Sequence, residues 1–142
     1  MPDVSPEMFS VRVYYEDTDF SGRVYHASYL RFLERGRTEW LRKRGFTHQD
    51  FARDSGLIFA VRSLNLDYLA PAVMDDLLTV ETEAAAIRGA SIVFRQRILG
   101  AAEKELVTAK VLVAAIRDGR PARIPVALRA FLETPGDPSP RS

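Results

Sequence analysis

The densest chemistry in the chain lies between Arg12 and Tyr29, in the run Arg-Val-Tyr-Tyr-Glu-Asp-Thr-Asp-Phe-Ser-Gly-Arg-Val-Tyr-His-Ala-Ser-Tyr. It holds three carboxylates, Glu16, Asp17 and Asp19, then an imidazole at His26 and four tyrosines, Tyr14, Tyr15, Tyr25 and Tyr29. Carboxylates and imidazoles serve as general bases, nucleophiles or polarising groups. His26 falls where a helix is expected to begin. A helix start adds unpaired backbone N–H groups and a field that favours anions. The stretch therefore combines a base with donors able to hold a developing negative charge. Asp17 or Asp19 equally suits a turn cap, the commoner role of an aspartate before a helix. The tyrosines suit a core or an interface. Ser21 has no evident base partner, so a Ser–His–Asp reading lacks support, and His48 carries no signal.

Other chemistries are excluded more directly. There is no G-x-G-x-x-G, no P-loop, no G-x-S-x-G elbow and no H-E-x-x-H. The absence of Cys removes disulfides, thiol nucleophiles and Cys-ligated metals, and two histidines cannot build a His-rich metal site. With 20 Lys+Arg against 19 Asp+Glu, the net charge of +1 argues against bulk electrostatic binding of nucleic acid. No apolar run approaches the roughly 20 residues of a membrane span. The first residues lack the basic and apolar regions of a secretory signal, so a cytoplasmic location is expected.

The site needs a frame. In 142 residues that are 46% hydrophobic, one domain is expected. Residues 1–8 and 134–142, rich in Pro, Asp and Ser, are expected to be flexible ends around a domain over 9–133. Phe9 to Tyr15 reads as a strand with Phe9, Val11 and Val13 on one face. From about His26 to Arg44 the period is helical, with Tyr29, Leu30, Leu33, Gly36, Arg37, Trp40 and Leu41 along one side. Arg42, Lys43 and Arg44 suit the helix C-terminus, and Gly45 suits its C-cap. Gly36 costs about 1 kcal/mol against Ala in mid-helix, so something is expected to pack closely against it. A short helix is expected around 47–53.

Four alternating strands follow. Their one-sided sets are Leu64, Leu66 and Tyr68; Leu78, Val80, Thr82 and Ala84; Ile92, Phe94, Gln96 and Ile98; and Val107, Ala109, Val111 and Val113. Pro125 to Glu133 forms a closing helix or a last strand. The order predicts an α+β fold, with one helix on one face of an antiparallel sheet.

The run from Tyr14 to Tyr29 resembles the signature of hot-dog-fold acyl-CoA thioesterases. Within the 4-hydroxybenzoyl-CoA thioesterase family it is most similar to the branch associated with the Tol–Pal envelope system. The likeness continues through residues 34–39, through Tyr68-Leu69-Ala70-Pro71-Ala72 with Asp75-Asp76, and through residues 88–94. The resemblance implies a single hot-dog domain, a sheet of about five strands wrapped around one long helix. It implies that Asp19, the second Asp of Asp-Thr-Asp, is the catalytic carboxylate. His26 matches the family's His, and Tyr15 matches a Tyr often beside the site. It implies a homodimer with sites at the subunit interface, often paired into a homotetramer, and no cofactor or metal. Arg23, Phe20 and Ser21 stand where relatives usually carry smaller or apolar residues, which bears on acyl preference.

A thioester leaves as a thiolate of parent pKa near about 8.5, so the leaving group needs little acid help and charge on the carbonyl oxygen is the harder problem. Backbone N–H groups at His26 and Ala27 suit that task. Asp19 then acts as general base on water or as nucleophile through an anhydride. His26 is assigned to substrate positioning or polarisation, and Tyr15 to orienting Asp19. Coenzyme A carries phosphates, for which Arg88 and Ser91 are candidates, with Arg117, Arg120 and Arg123 as a second cluster. The resemblance implies an acyl-CoA substrate, with acyl carrier protein as the alternative carrier. Two other readings stand beside hydrolysis: a hot-dog dehydratase or hydratase using His26 as base, and a non-catalytic module binding a carrier protein or an envelope-associated partner.

Overall fold

A computed structural model of the chain describes residues 6–44 and 56–133. The elements run β1 (Glu7–Arg12), a 3-10 turn (Tyr15–Asp17), α1 (Ser28–Lys43), β2 (Leu57–Tyr68), β3 (Leu77–Ile87), β4 (Ser91–Leu99), β5 (Glu105–Arg117), β6 (Arg120–Pro121) and α2 (Val126–Glu133). The sheet is antiparallel in the order β1-β3-β4-β5-β2, with the short β6 also on β5. It curls around α1. Pro125 to Glu133 thus resolves as a helix from Val126, and Leu128 and Leu132 are buried. The helix expected around 47–53, with Gly45 and His48, lies outside the described residues.

The inward faces of β3, β4 and β5 are those the alternation gives. Leu78, Val80, Ile92, Phe94, Ile98, Val107 and Val111 are buried against α1. The helix buries Tyr29, Phe32, Leu33, Gly36, Trp40 and Leu41. Phe32 joins this face although the helical spacing omits it, while Leu30 is exposed. Gly36 sits on the sheet. A Cβ there would lie 2.6 Å from Val80 Cγ1 and 2.9 Å from Thr82 Oγ1. The sheet's two inward polar side chains meet the helix at the same level. Gln96 Nε2 donates to the Leu33 carbonyl and to Thr82 Oγ1, both at 2.9 Å, and Arg37 donates to Gln96 Oε1 at 3.0 Å. Buried polar atoms are thereby paired, as a low-dielectric interior requires.

Several boundaries move. β1 starts at Glu7, inside the stretch 1–8 expected to be loose, and ends at Arg12 rather than Tyr15. Val13 still exchanges backbone hydrogen bonds with Asp75 and Asp76. The chain then curls because the Asp17 carboxylate accepts the Tyr14 N–H at 2.8 Å. α1 starts at Ser28, not His26. Ser28 N–H donates to the Tyr25 carbonyl, which closes a turn through His26 and Ala27 before the helix begins. Among the described residues no helix is long and apolar enough to cross a membrane.

Candidate active site

The loop from Val13 to Ala27 is built from its own polar atoms. Asp17 is its hub. Its Oδ2 accepts the Tyr14 N–H, and its Oδ1 lies 3.4 Å from the Arg31 guanidinium. Its carbonyl accepts the Tyr25 N–H at 2.9 Å and the Ser28 hydroxyl at 3.0 Å. Asp17 is 5% exposed and fully committed. Thr18 bridges to Val24, and Asp19 exchanges backbone bonds with Arg23 and Gly22. A tight reversal results, with Gly22 at φ +82°, a left-handed conformation that favours glycine.

Asp19 stands at the mouth of that reversal, open to solvent. Its Oδ1 accepts both the Ser21 N–H at 2.8 Å and the Ser21 hydroxyl at 2.6 Å. Oδ2 has no hydrogen bond among the described residues. The Ser21 hydroxyl first, then its N–H, hold the carboxyl below the usual carboxylate range, and the nearby His26 and Arg23 charges add smaller pulls the same way. Asp19 is therefore ionised at neutral pH. The aspartate question of the sequence divides between the two: Asp17 holds the turn together, and Asp19 offers an oxygen to the outside.

Beside Asp19 opens a cleft of about 320 Å3, lined by Ser21, Arg23, His26, Tyr29, Tyr68 and Pro71 among others. His26 stacks against Tyr25 at 4.4 Å between ring centres and meets Tyr68 edge-on at 6.3 Å. The Tyr68 hydroxyl donates to the His26 carbonyl at 2.9 Å. Tyr29 is buried, and its hydroxyl accepts the Ala72 N–H at 3.1 Å. Among the described residues the N–H groups of His26 and Ala27 have no acceptor, and they lie in the turn that leads into α1, at the positive end of the helix field. The cleft thus brings together an ionised carboxylate and an imidazole, and the turn that carries the unpaired N–H groups of His26 and Ala27 borders it. A second cavity of about 330 Å3 lies further along α1, where Glu34 and Arg37 face Phe59, Val61 and Phe94.

Other candidates stand elsewhere. Tyr15 is 81% exposed on the 3-10 turn, and the bonds that orient Asp19 come from Ser21 instead. Phe20 is fully exposed and does not narrow the cleft. Arg88 and Ser91 sit on the β3–β4 turn, where Arg88 N–H donates to the Ser91 carbonyl at 2.8 Å. That turn is at the far end of the 11-residue β3 from the cleft. It does gather the second arginine group. Ile124 N–H donates to the Gly89 carbonyl and Ala115 N–H to Ala90, which sets the β5–β6 hairpin with Arg117, Arg120 and Arg123 beside Arg88. Arg129 of α2 donates to the Ile87 and Arg88 carbonyls and fixes the same turn.

Sequence reasoning missed Ser21 as the partner of Asp19, although an oxygen acceptor two residues before a serine N–H is the spacing of an Asx turn. It also missed Tyr68, 42 residues from His26, for which no local signal exists. Among the described residues no cluster of three His, Cys, Asp or Glu could hold a metal.

Comparison with known proteins identifies the family. A family model described as the thioesterase superfamily matches residues 21–106. The acyl-CoA thioesterase YbgC of Haemophilus influenzae is 54% identical over 91 residues, 64% of this chain and 67% of that protein. The crystal structure of a probable thioesterase from Bartonella henselae superposes with a TM-score of 0.81 at 45% identity, covering 85% of this chain and all of that one. The 4-hydroxybenzoyl-CoA thioesterase from Pseudomonas sp. strain CBS-3 shares the fold, with a TM-score of 0.83 over 89% of this chain and 99% of that one, at 21% identity.

Proposed function

The chain belongs to the thioesterase superfamily and hydrolyses acyl-CoA thioesters, and from that premise we propose how its cleft performs the reaction. The observation that carries the proposal is the ionised Asp19 beside the unpaired N–H groups of His26 and Ala27. The thioester carbonyl oxygen takes hydrogen bonds from those N–H groups, which strengthen as charge develops on it. Asp19 acts through Oδ2, as general base on a water or as nucleophile on the acyl carbon. The C–S bond breaks, coenzyme A departs as thiolate, and the acyl group leaves as the free acid. The His26 imidazole positions the acyl thioester. Label found in the Asp19 carboxylate after a single turnover in 18O-water would establish the nucleophilic route, with water attacking the anhydride at the Asp19 carbonyl, since the general-base route puts the label in the product acid alone.

The active unit on this reading is a homodimer, paired further into a homotetramer, in the cytoplasm. Two features support the dimer. β2 is a 12-residue strand at the sheet edge, and Ile58 and Val61 on it are about half exposed, an edge that proteins ordinarily cover. The arginines lie at the far end of β3 from their own cleft, and on this reading the phosphates of coenzyme A, or of an acyl carrier protein, meet a second copy's Arg88, Ser91 and hairpin.

The test is thiol release from a panel of acyl-CoAs by wild type and Asp19→Asn. A correctly folded Asp19→Asn protein is expected to lose about 10²–10⁴-fold in kcat. Equal release by both would remove Asp19 from the chemistry.

A further inference from the structure

We propose that Tyr68 is a positioning residue for the hydrolysis: its hydroxyl holds the His26–Ala27 peptide so that the Ala27 N–H faces the substrate carbonyl. The inference rests on the reading of that N–H group as one of the carbonyl's hydrogen-bond donors.

The argument starts from the turn before α1. Had the helix begun at His26, the His26 carbonyl would accept the Leu30 N–H four residues on. Instead, Leu30 N–H donates to Ala27 at 3.2 Å, and Ser28 N–H donates to Tyr25 at 2.8 Å. The His26 carbonyl is left over. Among the described residues its one donor is the Tyr68 hydroxyl, at 2.9 Å. A peptide unit is planar, so fixing the His26 carbonyl fixes the Ala27 N–H on the opposite side of the same plane. A bond to that carbonyl also polarises the N–H, since linked hydrogen bonds strengthen one another.

Tyr68 is itself anchored. It is the last residue of β2, paired in register with Val107, and the next two N–H groups, of Leu69 and Ala70, both donate to the Leu106 carbonyl. Its ring leans on Tyr29 at 5.7 Å between centres and meets the His26 ring edge-on. Tyr29 in turn is buried and tied to Ala72. The sheet thus reaches through one hydroxyl to the turn that carries His26 and Ala27. That hydroxyl is the part of Tyr68 that a phenylalanine lacks, which separates its action from the packing of the ring.

Tyr68→Phe tests this. Its kcat for acyl-CoA is expected to fall about tenfold, less than removal of an oxyanion donor itself would cost, while KM and melting temperature stay near wild type. Binding of two unreactive acyl-CoA analogues supplies a second readout. A ketone analogue, with CH2 in place of sulfur, keeps the carbonyl, and a thioether analogue lacks it. Wild type is expected to prefer the ketone, and Tyr68→Phe to lose much of that preference while binding the thioether unchanged. An unchanged kcat, an equal loss for both analogues, or a kcat loss that only follows a lower melting temperature would each overturn the positioning role. Asp19→Asn run alongside keeps the two readings apart. If it collapses while Tyr68→Phe does not, only Tyr68 is misassigned. If Asp19→Asn keeps full activity, the assignment of the cleft chemistry fails first.

Discussion

Asp19 accepts both of its hydrogen bonds on one oxygen, and both come from Ser21. The hydroxyl is the larger cause of its lowered pKa. Activity that needs the carboxylate is therefore present at neutral pH and is lost as pH falls through a pKa below the usual aspartate value. Ser21→Ala removes the hydroxyl and keeps the N–H. The acid limb of kcat/KM is expected to move up toward the ordinary carboxylate range, with activity near pH 8 reduced little; a pH–rate profile of the two proteins measures it. An unmoved limb would mean that another group sets it. At this scale the sequence was legible in kind but not in detail. The cluster of Asp17, Asp19 and His26 is contiguous, so spacing finds it. Which aspartate is spent on the turn depends on where the Tyr14 N–H and Arg31 sit in space. The hold of Tyr68 on His26 joins residues far apart in the chain, and periodicity carries no information about such pairs.

The elements were more readable, because burial repeats with a fixed period. Alternation finds the inward faces of β3, β4 and β5, and the helical period finds most of the buried side of α1. Boundaries were not readable where a side chain competes with the backbone, as Asp17 does at the end of β1 and the Tyr25–Ser28 turn does before α1. Gly36 is the sharpest case of an element read correctly from one residue. Its place in mid-helix costs about 1 kcal/mol against Ala, which close contact with the sheet accounts for. Gly36→Ala would regain that propensity but drive a methyl to 2.6 Å from Val80 Cγ1, on a fully buried side chain with no room to retreat. Overpacking of this kind costs about 1–3 kcal/mol. A lower urea midpoint with an unchanged slope is expected. A raised midpoint would show that α1 can lift from the sheet at no cost.

At the scale of the whole molecule the question is which copy's arginines serve which cleft. Arg88 follows the far end of β3 from the cleft that holds Asp19, which favours service to a partner's cleft over its own. Arg88→Ala alone is expected to raise KM for acyl-CoA more than it lowers kcat, by about tenfold for one lost charge-assisted contact. That result would not say whether the contact is made within a chain or across the dimer. Mixing does. When Asp19→Asn and Arg88→Ala chains are refolded together, random pairing makes about half the dimers mixed. If Arg88 serves the partner's cleft, each mixed dimer holds one site with both residues intact, and roughly a quarter of all sites are wild type. Measured well below the wild-type KM, the mixture should then run several times faster than the mean of its two parents. If Arg88 serves its own cleft, every site in a mixed dimer carries one lesion, and the mixture should match that mean. A match would place the coenzyme's phosphates away from Arg88 or return it to its own chain, and it would remove the arginine-based support for a shared active site.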